Sequence, residues 1–239
     1  MSWPSSFFVD MIESVSSLLT PADAGSSSSN APRSQGQYPR TPEDVSRTVQ
    51  YLHKASPSHL PAELLTMILS LADYDCIHFS VHADKSVTRR SQSSNETPRL
   101  PYIETEPLRY LSSPGSAHSG AGFAGRIRAV RLQVTGKDQG WGGDGSGSWS
   151  WFEVASRQST STGPTTGRIS AGLRWAQNEV ASKEWQQHEA DLESNEDLGT
   201  WASSLKNGDR VSILPMARFP GWACTASAGS IDVEVEVWR

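Results

Sequence analysis

Along the chain, apolar and polar positions alternate first at helical spacing and then at strand spacing, and the change falls at Cys76. Phe8, Met11, Ile12, Val15, Leu18 and Leu19 recur every three or four residues, which predicts one amphipathic helix over residues 1–20 that ends at Pro21. Residues 21–40 combine Pro, Gly and a Ser run with hardly any large apolar group, so they read as a disordered linker. A second helix is expected from Thr41, a capping residue followed by Pro42 and by acids that face the positive helix end, with Val45, Val49 and Leu52 on one side. The third, from Pro61, carries Leu64, Leu65, Ile68, Leu69 and Leu71 as a broad apolar face and ends near Asp73.

From residue 76 to 239 the period becomes two. CIHFSVHAD places Ile77, Phe79 and Val81 opposite Cys76, His78, Ser80 and His82, and IDVEVEVWR separates its Ile and Val positions from its acids in the same way. RIRAVRLQVTG, SWSWFEVAS and GDRVSILPMA follow this habit, and YIETEPL, GLRWAQNEV, KEWQQHEADL and GWACTAS do so over shorter spans. In SWSWFEV, Trp149 and Trp151 share one predicted face and Phe152 and Val154 the other. WASSLK is the one short helix expected among them. The fold class is therefore mainly β with N-terminal helices (α+β): helices over 41–75, then an antiparallel β-sandwich of the jelly-roll or galactose-binding-like type over 76–239. The segments SVTRRSQSSNETPR, LSSPGSAHSGAGFAG and RQSTSTGPTTGR read as long loops.

Composition narrows the function. A net charge of -5 offers no basic face for phosphates, which excludes nucleic acid as the expected partner. Two cysteines, Cys76 and Cys224, are too few for a disulfide framework and suit a reducing compartment. No stretch has the length of a membrane span, and Asp10 and Glu13 interrupt the first apolar run, so neither a span nor a signal peptide is expected. The expected location is cytoplasmic or nuclear, where the sequon at Asn95 goes unused.

Candidate chemistry is sparse. Ser203 and Lys206 fit an S-x-x-K spacing without its companion motifs, and Gly143 to Gly147 lack the following helix that a phosphate-binding loop needs. Cys76, His78 and His82 share one strand face and would suit zinc, but polar residues on a half-exposed strand need no metal to explain them, so neither metal nor cofactor is expected. Eight of the nine tryptophans lie from Trp141 onward. Trp141 sits between Asp138 and Asp144 in a glycine-rich connection, and Trp222 follows the Pro220-Gly221 turn. With Arg218 they form the expected ligand-recognising end, because an exposed indole offers a rigid face for a sugar ring or a protein.

Leu60-Pro61-Ala62-Glu63-Leu64-Leu65, with Ile68 and Leu69, resembles the start of an F-box over residues 60–74. GRIRAVRLQVTGKDQGWGG, GSWSWFEV, NGDRVSIL, ARFPGWACTAS and IDVEVEV resemble a poorly characterised fungal family that joins such a helix to a β-sandwich. The end of the chain is faintly similar to the F-box-associated sandwich of sugar-recognising F-box proteins. These resemblances imply a non-enzymatic adaptor in which Leu60, Pro61, Leu64, Leu65 and Ile68 dock a Skp1-like adaptor and the sandwich receives a ligand or substrate. The alternative is a stand-alone lectin-like module that binds glycan or glycoprotein.

Overall fold

A computed structural model describes residues 39, 41–56, 60–92, 97–111, 125–139, 148–158, 169–180, 182 and 184–237. The predicted helix over 1–20, the linker over 21–40 apart from Pro39, the sequon at Asn95, and Trp141, Asp144 and Trp238 lie outside the described residues.

Helix α1 (Pro42–Ala55) begins as its sequence dictates. Thr41 Oγ1 accepts from the Asp44 amide at 3.3 Å, and Asp44 Oδ2 accepts from the Thr41 amide at 3.1 Å, a reciprocal capping box. Val45, Val49 and Leu52 are buried. Helix α2 (Ala62–Leu71) follows Pro61 and ends where Asp73 takes φ 56, the left-handed conformation that usually terminates a helix at glycine. No helix among the described residues is long and apolar enough to cross a membrane.

The remainder is two antiparallel sheets. In chain order the strands are β1 (Cys76–Ala83), β2 (Val87–Arg90), β3 (Ile103–Glu104), β4 (Arg126–Asp138), β5 (Ser150–Gln158), β6 (Leu173–Gln177), β7 (Gln186–Asp191), β8 (Asp209–Ala217) and β9 (Ala223–Glu236). Helix α3 (Glu196–Ser203) lies between β7 and β8; it starts earlier than WASSLK predicts, because the Asn195 side chain caps it by accepting from Leu198 N. The first sheet runs β1-β9-β4-β7, with β2 also paired to β9, and the second runs β3-β8-β5-β6. All the strand pairings are antiparallel, which gives the β-sandwich expected from the alternation.

Two expectations are corrected. GWACTAS and IDVEVEVWR are one strand, since β9 continues from Ala223 to Glu236 and carries β2 and then β1 along one edge and β4 along the other. The segment SVTRRSQSSNETPR contains β2, whose Val87 to Arg90 pair with Ala226 to Ala223. Both escape a reading of single segments because their pairing partners are remote in sequence.

Inner residues Val130, Leu132 and Val134 of β4, Ile231, Val233 and Val235 of β9, and Phe152, Val154, Val211 and Ile213 of the second sheet are buried. Phe152 joins the two layers: its ring centroid lies 5.8 Å from that of His188 on β7. The opposite face of the second sheet is also covered. Trp151, Ala155, Leu214 and Met216 form a second apolar cluster with Ile169 packed on it, while Thr97 Oγ1 donates to Met216 Sδ. Strand β8 is therefore buried on both faces along most of its length, which corrects the half-exposed alternation expected of GDRVSILPMA: even Ser212 is buried.

Candidate functional site

Three surfaces bear on function. The first is the end of the sandwich at the β8–β9 turn. Arg218 N donates to Trp149 O at 2.9 Å, and Trp222 N donates to Phe219 O at 3.2 Å, so the chain reverses tightly over Phe219-Pro220-Gly221. Gly221 takes φ 90, as glycine readily does, but Phe219 takes φ 71, which costs an L-residue with a bulky side chain about 1–2 kcal/mol. The turn holds the Phe219 ring outward, 38% exposed and edge-on to Trp149 at 4.9 Å between centroids. The exposed Arg218 guanidinium lies 5.5 Å from the same ring.

The predicted residues fare differently at this end. Trp222, expected to stay open to solvent, is 9% exposed: β9 begins at the next residue, and its carbonyl accepts from Ser91 N, so the ring packs inward. Asp138, expected in a glycine-rich turn, is the buried last residue of β4, paired with Cys224, and its Oδ1 accepts from Gln139 N at 2.7 Å. Arg218 is exposed as expected, and Phe219 replaces Trp222 as the solvent-facing ring. The motif Arg-Phe-Pro-Gly announced the turn; which aromatic it exposes depends on where β9 starts.

The second surface is α2. Leu65 and Leu69 are buried, Leu60, Leu64 and Ile68 are half-buried, and Pro61 is exposed. Leu65, expected on the docking face, is therefore part of the protein's own core. Met67 is 56% and Leu71 77% exposed. With Leu64 and Ile68 they occupy positions i, i+3, i+4 and i+7, a stripe on a different side of the helix from Leu65 and Leu69.

The third is a charged network on the outer face of the first sheet. Register places Cys76, His78 and Ser80 of β1 beside Glu236, Glu234 and Asp232 of β9, with Arg126 and Arg131 of β4 beyond. A bulge between Ile127 and Ala129 leaves Arg128 without a ladder partner and aims its side chain at the end of α2. Its guanidinium donates to Asp73, to Asp75 Oδ1 at 3.0 Å and to Glu234 Oε2 at 3.1 Å; Glu234 also accepts from Arg131. Burial alone would raise the Glu234 carboxyl, but the Arg131 hydrogen bond and the charges of Arg131 and Arg128 outweigh it and hold the group below its ordinary value.

Cys76, His78 and His82 are the residues whose chemistry would suit zinc. They share a face, yet the ligand atoms that gather are those of Asp73, Cys76 and Glu234, within 4.8 Å of one another. Arg128 already supplies the positive charge there. Burial and the Asp75 charge push the Cys76 thiol far up, so the thiolate that a metal requires is disfavoured. Cys224 is likewise a free buried thiol, pushed up to about 12 by burial. Neither group is placed for nucleophilic chemistry. Ser203 Oγ donates to Thr200 O at 2.7 Å, which leaves the S-x-x-K spacing without a catalytic hydrogen bond from that serine to Lys206.

No protein-family model matches the chain, and no curated protein matches it in sequence.

Proposed function

We propose that the protein is a non-catalytic binding adaptor in which α2 presents Leu64, Met67, Ile68 and Leu71 to a protein partner. The partner is of the kind an F-box engages, a Skp1-like adaptor, and the β-sandwich carries the recognition end around Arg218 and Phe219. One observation carries this reading: α2 satisfies its own core with Leu65 and Leu69 and still leaves Met67 and Leu71 in solvent. Large apolar side chains grouped along an exposed helix face are what helix-mediated docking uses. The two buried free thiols fit a cytoplasmic or nuclear setting, where thiols stay reduced.

The test is capture of a purified Skp1-like adaptor by the full-length protein. Met67→Asp with Leu71→Asp changes exposed positions only, so the fold survives and binding falls about thirtyfold or more. Absence of capture by the wild type, or capture undiminished in the double variant, refutes the reading. A second reading, a stand-alone glycan-binding module, is favoured by the outward Phe219 ring beside Trp149. It requires glycan binding that Phe219→Ser abolishes and the α2 variant leaves intact.

A further inference from the structure

Near the β8–β9 turn, the outer face of the first sheet carries a row of cationic, aromatic and hydroxyl side chains. A Cβ on Gly136 would meet the Phe152 ring between the layers, so Lys137, the next residue of β4, points outward. Its ammonium lies 4.3 Å from the centroid of the Trp185 ring, which is 45% exposed just before β7. On its other side Lys137 pairs with Thr225 of β9, and Thr225 pairs with Thr88 of β2, their two hydroxyls bonded at 3.0 Å. Arg90, two residues along β2, shares the face of Thr88 and is exposed. Ser91, next to it, is bonded to the turn: Ser91 N donates to Trp222 O, and Gly221 N donates to Ser91 O. The row therefore runs on into the turn that exposes Arg218 and Phe219.

The charge of this surface opposes that of the chain, which has 21 Lys and Arg against 26 Asp and Glu. Lys137, Arg90 and Arg218 make no ion pair among the described residues. An exposed acid, Glu184, adjoins the row at Trp185, the end away from Arg90. Register places Glu189 beside Gln133, and Asp191 and Asp232 beside Arg131, roughly 13 and 20 Å back along β4 from Lys137. Both distances exceed the screening length of about 8 Å in physiological salt, so the local field stays positive.

Exposed rings interleaved with unpaired cations suit an acidic protein segment: the rings offer rigid apolar area, and the cations select the sign of the partner. Lys137 and Arg90 stand two strands and two residues apart, about 12 Å, close to the span of four residues of extended chain. A nucleic acid strand carries a phosphate about every 3.4 Å and is held by a denser run of cations than these three. We propose that this surface binds an extended acidic peptide segment of a partner protein, with carboxylates on Lys137, Arg90 and Arg218 and an apolar side chain against Trp185 or Phe219. The inference rests on the reading of the Arg218 and Phe219 turn as the recognition end and names its ligand class; it is independent of α2.

Fluorescence anisotropy with the full-length protein tests this, using a labelled peptide of three Glu-Leu-Ser-Gly repeats, which sets carboxylates four residues apart. The same peptide with Lys in place of Glu, heparin and single-stranded oligothymidylate are the other arms. The acidic peptide is expected to saturate and to bind about tenfold more weakly when salt is raised severalfold, while the lysine peptide does not bind. Lys137→Glu, Arg90→Glu and Arg218→Glu, each checked by its melting curve, should weaken binding about five- to tenfold, and Trp185→Ser severalfold. Arg90→Gln and Arg218→Gln serve should a charge reversal misfold. Met67→Asp with Leu71→Asp should bind the peptide like wild type, so failure of adaptor capture and failure of peptide binding are separate results. If the acidic peptide does not saturate, if heparin or oligothymidylate binds more tightly, or if the folded charge variants bind the peptide like wild type, the proposal is overturned.

Discussion

Replacing Arg128 with Met removes the guanidinium while keeping most of its aliphatic stem. Glu234 retains Arg131, but Asp75, also buried, loses the one side-chain cation that pairs with it among the described residues. Removing one partner of a buried ion pair costs about 3–5 kcal/mol, chiefly because the other charge stays behind unpaired. The Arg128 side chain is 32% exposed, so water replaces part of what is lost, and the expected destabilisation is about 2–3 kcal/mol at neutral pH. For a chain of this size that lowers Tm by roughly 5–10 °C. Urea unfolding of wild type, Arg128→Met, Asp75→Asn and the double variant measures the effect and isolates the coupling. The double variant should recover more than about 1 kcal/mol of the loss, because no buried charge is stranded. A loss under about 0.5 kcal/mol, with additive single effects, would refute the view that Arg128 neutralises this cluster.

Other consequences are as direct. The Glu234 pKa is lower in the folded state than its ordinary 4.5, so the unfolded chain binds more protons in acid. The stability this group contributes is complete above the unfolded value and is lost as pH falls through the folded one. Glu234→Gln should flatten that part of the urea-midpoint profile. Gly136→Ala should destabilise by about 1–3 kcal/mol in the same assay, because the added methyl would collide with the Phe152 ring at the inter-layer contact. Phe219→Gly should be more stable than Phe219→Ala by about 1 kcal/mol, since both lose the ring but only glycine relieves φ 71; equal stability would remove the claim of strain. Metal analysis of purified protein should find zinc substoichiometric at the Asp73, Cys76 and Glu234 group, because Arg128 occupies the electrostatic role of a cation there.

What the sequence determined by itself was local periodicity and its punctuation. Thr41 with Pro42 and Asp44 specified the start of α1, and the change from helical spacing to alternation at Cys76 specified the passage to sheet, because capping and side-chain direction act over a few residues. The shared face of Cys76 and His78 followed from the same alternation. Tertiary structure alone decided what each face meets. Strand β8 escaped alternation because segments remote in sequence cover its outer face, and β9 joined two predicted strands because β4 runs alongside almost its whole length. At the Arg218 turn, the start of β9 pulled Trp222 inward and left Phe219 outside. Arg128 and Asp209 carried no motif. The first owes its position to a bulge in a long-range ladder, and the second owes its burial to a turn clamped by contacts with Leu111 and Leu108 about 100 residues earlier. Such partners are chosen by packing across the whole chain, which local sequence does not encode.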